Sequence, residues 1–210
     1  GGVVRVARRG ALIAWVTFVA LAQAPAPARA HGSVRGLGNF LGGAVHPLVE
    51  PAQLIVLVAL GLFIGQRGLV ATRPAWLCFV SALVAGLVGA GVGGVPTIDA
   101  WLLPLAGLLG LAVLCDLAVP RLLCAFAAGL VGLGVGLACA PELVTGQARV
   151  VMLLGSGAGA AVGMFNIVGL LHEAHRPWQR IGMRVVGSWI VASVTLVMSL
   201  SMAGALRLPS

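Results

Sequence analysis

Apolar runs of about twenty residues, separated by short polar clusters, recur along most of this chain. Beyond the first thirty residues, six such runs predict helices over about Leu48 to Gly65, Pro74 to Val95, Ile98 to Val119, Arg121 to Ala140, Val150 to Leu171 and Met183 to Ala205. A helix over Leu48 to Gly65 would rise about 27 Å, close to the thickness of a bilayer's hydrocarbon core. The alternating segments of a transmembrane β-barrel are absent from the sequence. The pattern predicts an all-α, polytopic membrane helical bundle of six transmembrane helices following a signal peptide.

Residues 1–30 read as that signal peptide. Arg5, Arg8 and Arg9 form a basic region, Ala11 to Ala22 an apolar one, and Ala28-Arg29-Ala30 an A-x-A cleavage site. Cleavage would leave His31 as the mature N-terminus and residues 31–210 as a six-helix membrane domain. The alternative is that the segment is retained as a further helix. Residues 31–45, HGSVRGLGNFLGGAV, read as a Gly-rich extracytoplasmic approach or a re-entrant segment. Pro47 and Pro51 cannot both be comfortable inside one regular helix, so the first helix starts at Pro51 or kinks there. If it is continuous, His46, Glu50 and Gln53 share one face.

Composition sharpens this picture. Hydrophobic residues make up 60% and charged residues 9%, against about 25% charged in a soluble domain, so the lipid bilayer is the expected solvent. The 31 glycines suit close approach of helix backbones in lipid, with a seam of Ala85, Gly86, Gly89, Ala90 and Gly93 on the second helix. All 13 basic residues are arginine; four precede His31, which takes the formal charge from +8 to +4 for the mature chain. Placing the mature N-terminus outside puts Arg67, Arg73, Arg121, Arg176, Arg180 and Arg184 in the cytoplasmic loops and only Arg35, Arg149 and Arg207 on the outer side. That asymmetry predicts a bacterial inner-membrane protein with both mature ends outside the cytoplasm. No basic stripe with interleaved aromatics is present, which excludes a nucleic-acid partner. Cys78, Cys115, Cys124 and Cys139 lack C-x-x-C spacing and read as small apolar residues rather than a disulfide framework or zinc site.

Candidate chemistry concentrates at three places. At the outer mouth, His31, His46 and Glu50 offer two imidazoles and a carboxylate, a set suited to a borderline divalent ion. An N-terminal His31 also chelates copper(II) through its α-amine and ring. The plainer alternative is that cleavage leaves an arbitrary residue, His46 caps a helix and Glu50 faces headgroup water. Asp116 falls inside the third predicted helix, where a carboxylate needs a partner or cavity, and Arg121 is the expected partner by snorkelling. His172, Glu173 and His175 form a cytoplasmic cluster, but three nearby arginines favour headgroup contact over metal binding. Asn166 is expected to bond between helices, and Asp99 and Glu142 to be solvated in outer loops. No Walker motif, G-x-S-x-G or H-E-x-x-H occurs, so the sequence does not indicate an enzyme.

The stretch from Asn39 to Gly68 resembles the first membrane helix of the HupE/UreJ proteins, nickel or cobalt permeases whose signature reads H-P-x-x-G-x-D-H. His46 and Pro47 match it. Glu50 stands where the family has Gly, Ala52 where it has Asp, and Gln53 where it has the second His. The family's second motif, H-G-x-A-H-G followed by an acid, corresponds to Val135 through Glu142. There Gly136, Ala138 and Glu142 keep the pattern, while Val135 and Cys139 replace histidines. The resemblance further implies a mature chain beginning with His, as at His31, and a His near the end of the fifth helix, as at His172. It implies transport or delivery of nickel, cobalt or copper through the outer His31, His46 and Glu50 site, with Asp116 and Cys139 along the ion path. The alternative is a non-transporting accessory subunit of a larger membrane complex, or a homo-oligomer, that kept the bundle, lost ligands and packs through its Gly-rich faces.

Overall fold

The break between the first two helices follows from one proline. Pro51 disfavours the helical region for the residue before it, and Glu50 takes an extended conformation at φ −74° and ψ 116°. Its N–H still donates to His46 O at 3.0 Å, closing the last turn of one helix, while its C=O accepts from Leu54 N at 2.9 Å, opening the next. The axis turns by 67° there. His46, Glu50 and Gln53 therefore do not continue along one straight helical face.

The structure, a computed structural model, describes residues 38–67, 69–92, 98–140, 144–172 and 176–205, all within the compact unit Ser33–Ser210. The described residues form seven helices: α1 (Gly38–Val49), α2 (Pro51–Gly65), α3 (Leu69–Val92), α4 (Ile98–Leu114), α5 (Arg121–Ala138), α6 (Gly146–His172) and α7 (Pro177–Ala205). No strand occurs among them. The expected signal peptide and His31 lie outside the described residues.

Several expected boundaries move. Residues 38–45 are not an irregular approach but the start of α1. The helix expected to reach Val119 ends at Leu114, where Asp116 N bonds Val113 O at 3.2 Å and Leu117 N bonds Ala112 O at 3.1 Å. Those two reversed bonds, with Asp116 at φ 49°, are a Schellman stop. Asp116 is thus outside the helix, not in its interior. At their N-terminal ends α3, α6 and α7 begin five, four and six residues before the positions expected.

Around α2 the bundle closes. Ten of its residues are buried, and it touches each of the other six helices. Those six pair off through glycine. A Cβ on Gly86 of α3 would lie 2.9 Å from Gly136 Cα of α5, and one on Gly136 would lie 2.5 Å from Leu83 O. On α6, Gly155 and Gly159 receive the backbone of Phe40 and Ala44 in α1, while Gly187 of α7 lies against Gly110 of α4. The glycine seam read on the second predicted helix is therefore used largely within the chain.

The outward faces are apolar. Twenty-nine large hydrophobic side chains are exposed among the described residues. A soluble monomer rarely exposes apolar patches beyond a few hundred Å², so a surface of this extent calls for lipid or another apolar partner. Arg73–Val92, Arg121–Ala138, Gly146–Leu171 and Pro177–Ala203 are long and apolar enough to span a membrane, and the bent α1–α2 pair makes a fifth if it counts as one. With 17 residues, α4 is shorter. Among the described residues the bundle is membrane-like and all-helical, with four or five spans by this measure.

Gly136→Val is expected to destabilise the fold by about 2 kcal/mol or more, because backbone rather than a flexible side chain blocks the new atoms. Gly182, whose Cβ would meet nothing within 4 Å, should accept Ala with no loss and a gain of up to about 1 kcal/mol. Thermal unfolding of the two variants in detergent measures the contrast.

Candidate functional site

Glu50 occupies the N-cap position of α2 without making a side-chain cap bond, which leaves its half-buried carboxylate uncommitted to the helix start. His46 stands one turn earlier, in the last turn of α1, also half-buried. Pro47 beside it is buried. The break therefore brings an imidazole and a carboxylate to the same joint.

Directly behind this joint is Gln53, at the third position of α2 and fully buried. A Gln at that position often reaches back to the N-cap amide, but the Glu50 amide is already bound to His46 O. The side chain turns instead to the C-terminus of α5. Its Nε2 donates to Ala138 O at 3.5 Å, and Cys139 Sγ lies 3.6 Å from Oε1 as donor. A helix end presents partial negative charge, which favours the amide donor there. Cys139 is itself buried, with 2% of its surface exposed.

Asp116 is far from this joint. The other end of α2 packs on the end of α4: Gln66 Nε2 donates to Val113 O at 3.2 Å, and Arg67 Nη2 to Leu117 O at 2.8 Å. Asp116 sits in that turn, about 22 Å from Glu50 along the length of α2. It is exposed, and its ion pair is with Arg180 at 3.9 Å rather than with the expected Arg121. Arg67 also donates to Phe63 O and lies 3.6 Å over the Phe63 ring. Its partial burial lowers its pKa below the ordinary arginine value, against the opposing influence of Cys124 and Asp116. Arginine nonetheless stays cationic.

Among the described residues, no three His, Cys, Asp or Glu side chains lie close enough to hold a metal ion. His46 and Glu50 are brought to one joint, and Cys139 joins Gln53 behind it. His31, Glu173 and His175 lie outside the described residues, as does Glu142, while His172 ends α6. Asn166 bonds Val162 O of its own helix at 2.8 Å instead of a neighbouring one. Sequence reasoning missed the Gln53–Cys139 pairing, although both residues had been singled out at positions where the resembled signatures carry histidine.

Two motifs distant in sequence thus meet at one buried contact. Residues 19–204 match the family model described as HupE / UreJ protein. The chain belongs to the HupE/UreJ family. No curated protein and no solved structure matches it significantly. In this HupE/UreJ protein, the contact between these two regions is made by a neutral amide and a thiol.

Gln53→Leu keeps the approximate volume but strips Ala138 O and Cys139 Sγ of their side-chain partner. The expected loss is about 1–3 kcal/mol of stability, read by thermal unfolding. No change would show that the pair contributes nothing to the fold.

Proposed function

We propose that this HupE/UreJ protein transports or delivers a divalent metal ion, nickel, cobalt or copper, across the bacterial inner membrane. The observation that carries this reading is the α1–α2 break, which holds His46 and Glu50 half-buried at one joint. Helical transporters bind their substrates at such interruptions, because a broken helix offers polar groups where a continuous one offers only hydrocarbon. In this reading His31, His46 and Glu50 receive the ion on the outer side. Cys139 lies next along the path as a soft ligand, and Asp116 stands at the opposite end, where the ion leaves. His172, at the end of α6, belongs in this reading with Glu173 and His175 to a cytoplasmic cluster.

A second reading is supported by the Gln53–Cys139 pair. A buried amide bonded to Ala138 O and accepting from Cys139 Sγ suits a bundle that has given up metal ligands and serves as an accessory subunit of a larger membrane complex. Because the glycine seams are occupied within the chain, such a partner would meet the outward apolar faces.

Uptake of radioactive nickel into proteoliposomes separates the two. His46→Ala and Glu50→Ala should each reduce uptake by about tenfold or more. Uptake unaffected by either change would remove the transport reading, and stable co-purification with a larger complex would favour the second.

The proposed orientation places Arg67, Arg73, Arg121, Arg176, Arg180 and Arg184 at the cytoplasmic face, as the positive-inside rule requires. Their end of the bundle is joined by the contacts of Arg67 with Leu117, Arg180 with Asp116 and Arg184 with Leu114. Exposed Cys115 lies in the same turn. A membrane-impermeant maleimide should therefore label Cys115 in inverted vesicles and not in right-side-out ones; the reverse pattern would invert the topology.

A further inference from the structure

We infer that the Arg67 end of the bundle holds a specific site for the phosphodiester headgroup of an anionic phospholipid, between the end of α4 and the start of α7. Three arginines converge there. Arg67 comes from the end of α2, and Arg180 and Arg184 from the first turns of α7, one helical turn apart. Arg184 Nε donates to Leu114 O at 2.9 Å, which fixes the guanidinium against α4 and leaves its terminal nitrogens without a hydrogen bond among the described residues. Arg180 is less committed still. Its approach to Asp116 is 3.9 Å, beyond hydrogen-bond distance, and both side chains are largely exposed at 60% and 48%.

Charge decides what such a site takes. Asp116 offsets one of the three arginines, and the partial charges of the α4 C-terminus and the α7 N-terminus oppose each other and cancel to first order. About two positive charges remain, more than enough for a phosphodiester carrying one negative charge. Guanidinium groups suit phosphate oxygens because their N–H donors lie in a planar fork.

The neighbouring stripe of α7 accounts for the rest of the lipid. Ile181, Val185 and Trp189 recur every four residues beside the Arg180–Arg184 stripe, and all three are exposed. Gly182, on the far flank of the apolar stripe from the arginines, has nothing within 4 Å of where a Cβ would stand, so the stripe is open on that side. An acyl chain laid along the apolar stripe places its headgroup at the arginines. Trp178, exposed at the same end, is the residue type that settles at headgroup depth. A soluble phosphate would use the arginines and leave the stripe bare.

The test titrates the full chain in detergent with dioleoylphosphatidylglycerol and, separately, dioleoylphosphatidylcholine, reading bound lipid by native mass spectrometry. Phosphatidylglycerol should be retained and phosphatidylcholine should not. Arg180→Gln should weaken retention about fivefold, and the pair Arg180→Gln with Arg184→Gln about twenty-five-fold. Arg180 makes no side-chain hydrogen bond among the described residues and only an exposed 3.9 Å ion pair with Asp116, so its replacement tests binding with little effect on the bundle. Arg73→Gln removes the same charge from α3 and should leave retention unchanged. Equal weakening by Arg73→Gln would reduce the effect to diffuse charge and overturn the site. Equal retention of both lipids, or complete displacement of phosphatidylglycerol by millimolar inorganic phosphate, would overturn it as well.

Discussion

Close approach of backbone to backbone at glycine holds this bundle together. Lipid tails are as apolar as leucine, so burial of hydrocarbon alone does not drive one membrane helix against another. What remains is dispersion at short range, and it depends on how near two helices can come. Gly86 with Gly136, Gly155 and Gly159 with the α1 backbone, and Gly110 with Gly187 each remove the side chain that would keep the helices apart. The three pairs formed in this way, α3 with α5, α1 with α6 and α4 with α7, surround α2. The central helix can then carry buried polar groups, because six neighbours supply their partners.

That enclosure governs the chemistry available at the α1–α2 joint. Gln53 would be costly facing lipid; at the end of α5 it finds a carbonyl and a thiol. Polar side chains at the two ends of α2 serve different purposes. Near Glu50 they lie beside a helix break, where backbone regularity is lost. Near Arg67 they stop α4, with Gln66, Arg67 and Arg184 donating to three carbonyls in and after its last turn. One end is built around an interruption and the other around a termination.

Much of this was legible in the residues. Apolar runs gave the helical class, Pro51 gave the break, and the arginine asymmetry grouped Arg67, Arg180 and Arg184 at one end before any contact was known. Two kinds of feature were not. Boundaries set by hydrogen bonds between backbone groups escaped, as at Asp116, where hydrophobicity continues to Val119 while a Schellman stop ends the helix at Leu114. Packing partners escaped too. The glycines were read as a seam, yet nothing in a one-dimensional pattern says whether a seam is filled by the same chain or by another. At the candidate site, the signature positions of Gln53 and Cys139 were visible separately, but their contact across 86 residues required the fold.

The early stop of α4 has a mechanical consequence for the surrounding bilayer. Seventeen residues rise about 25 Å against a hydrocarbon core of about 30 Å, whereas α6 and α7, with 27 and 29 residues, exceed that core. A bilayer meets a shorter apolar height beside α4 than beside α6 and α7, a mismatch that thinning of the adjoining lipid, snorkelling of flanking side chains or tilt of the longer helices relieves at modest cost. The flank of the shortest helix is thus the one where the hydrocarbon layer is most easily thinned.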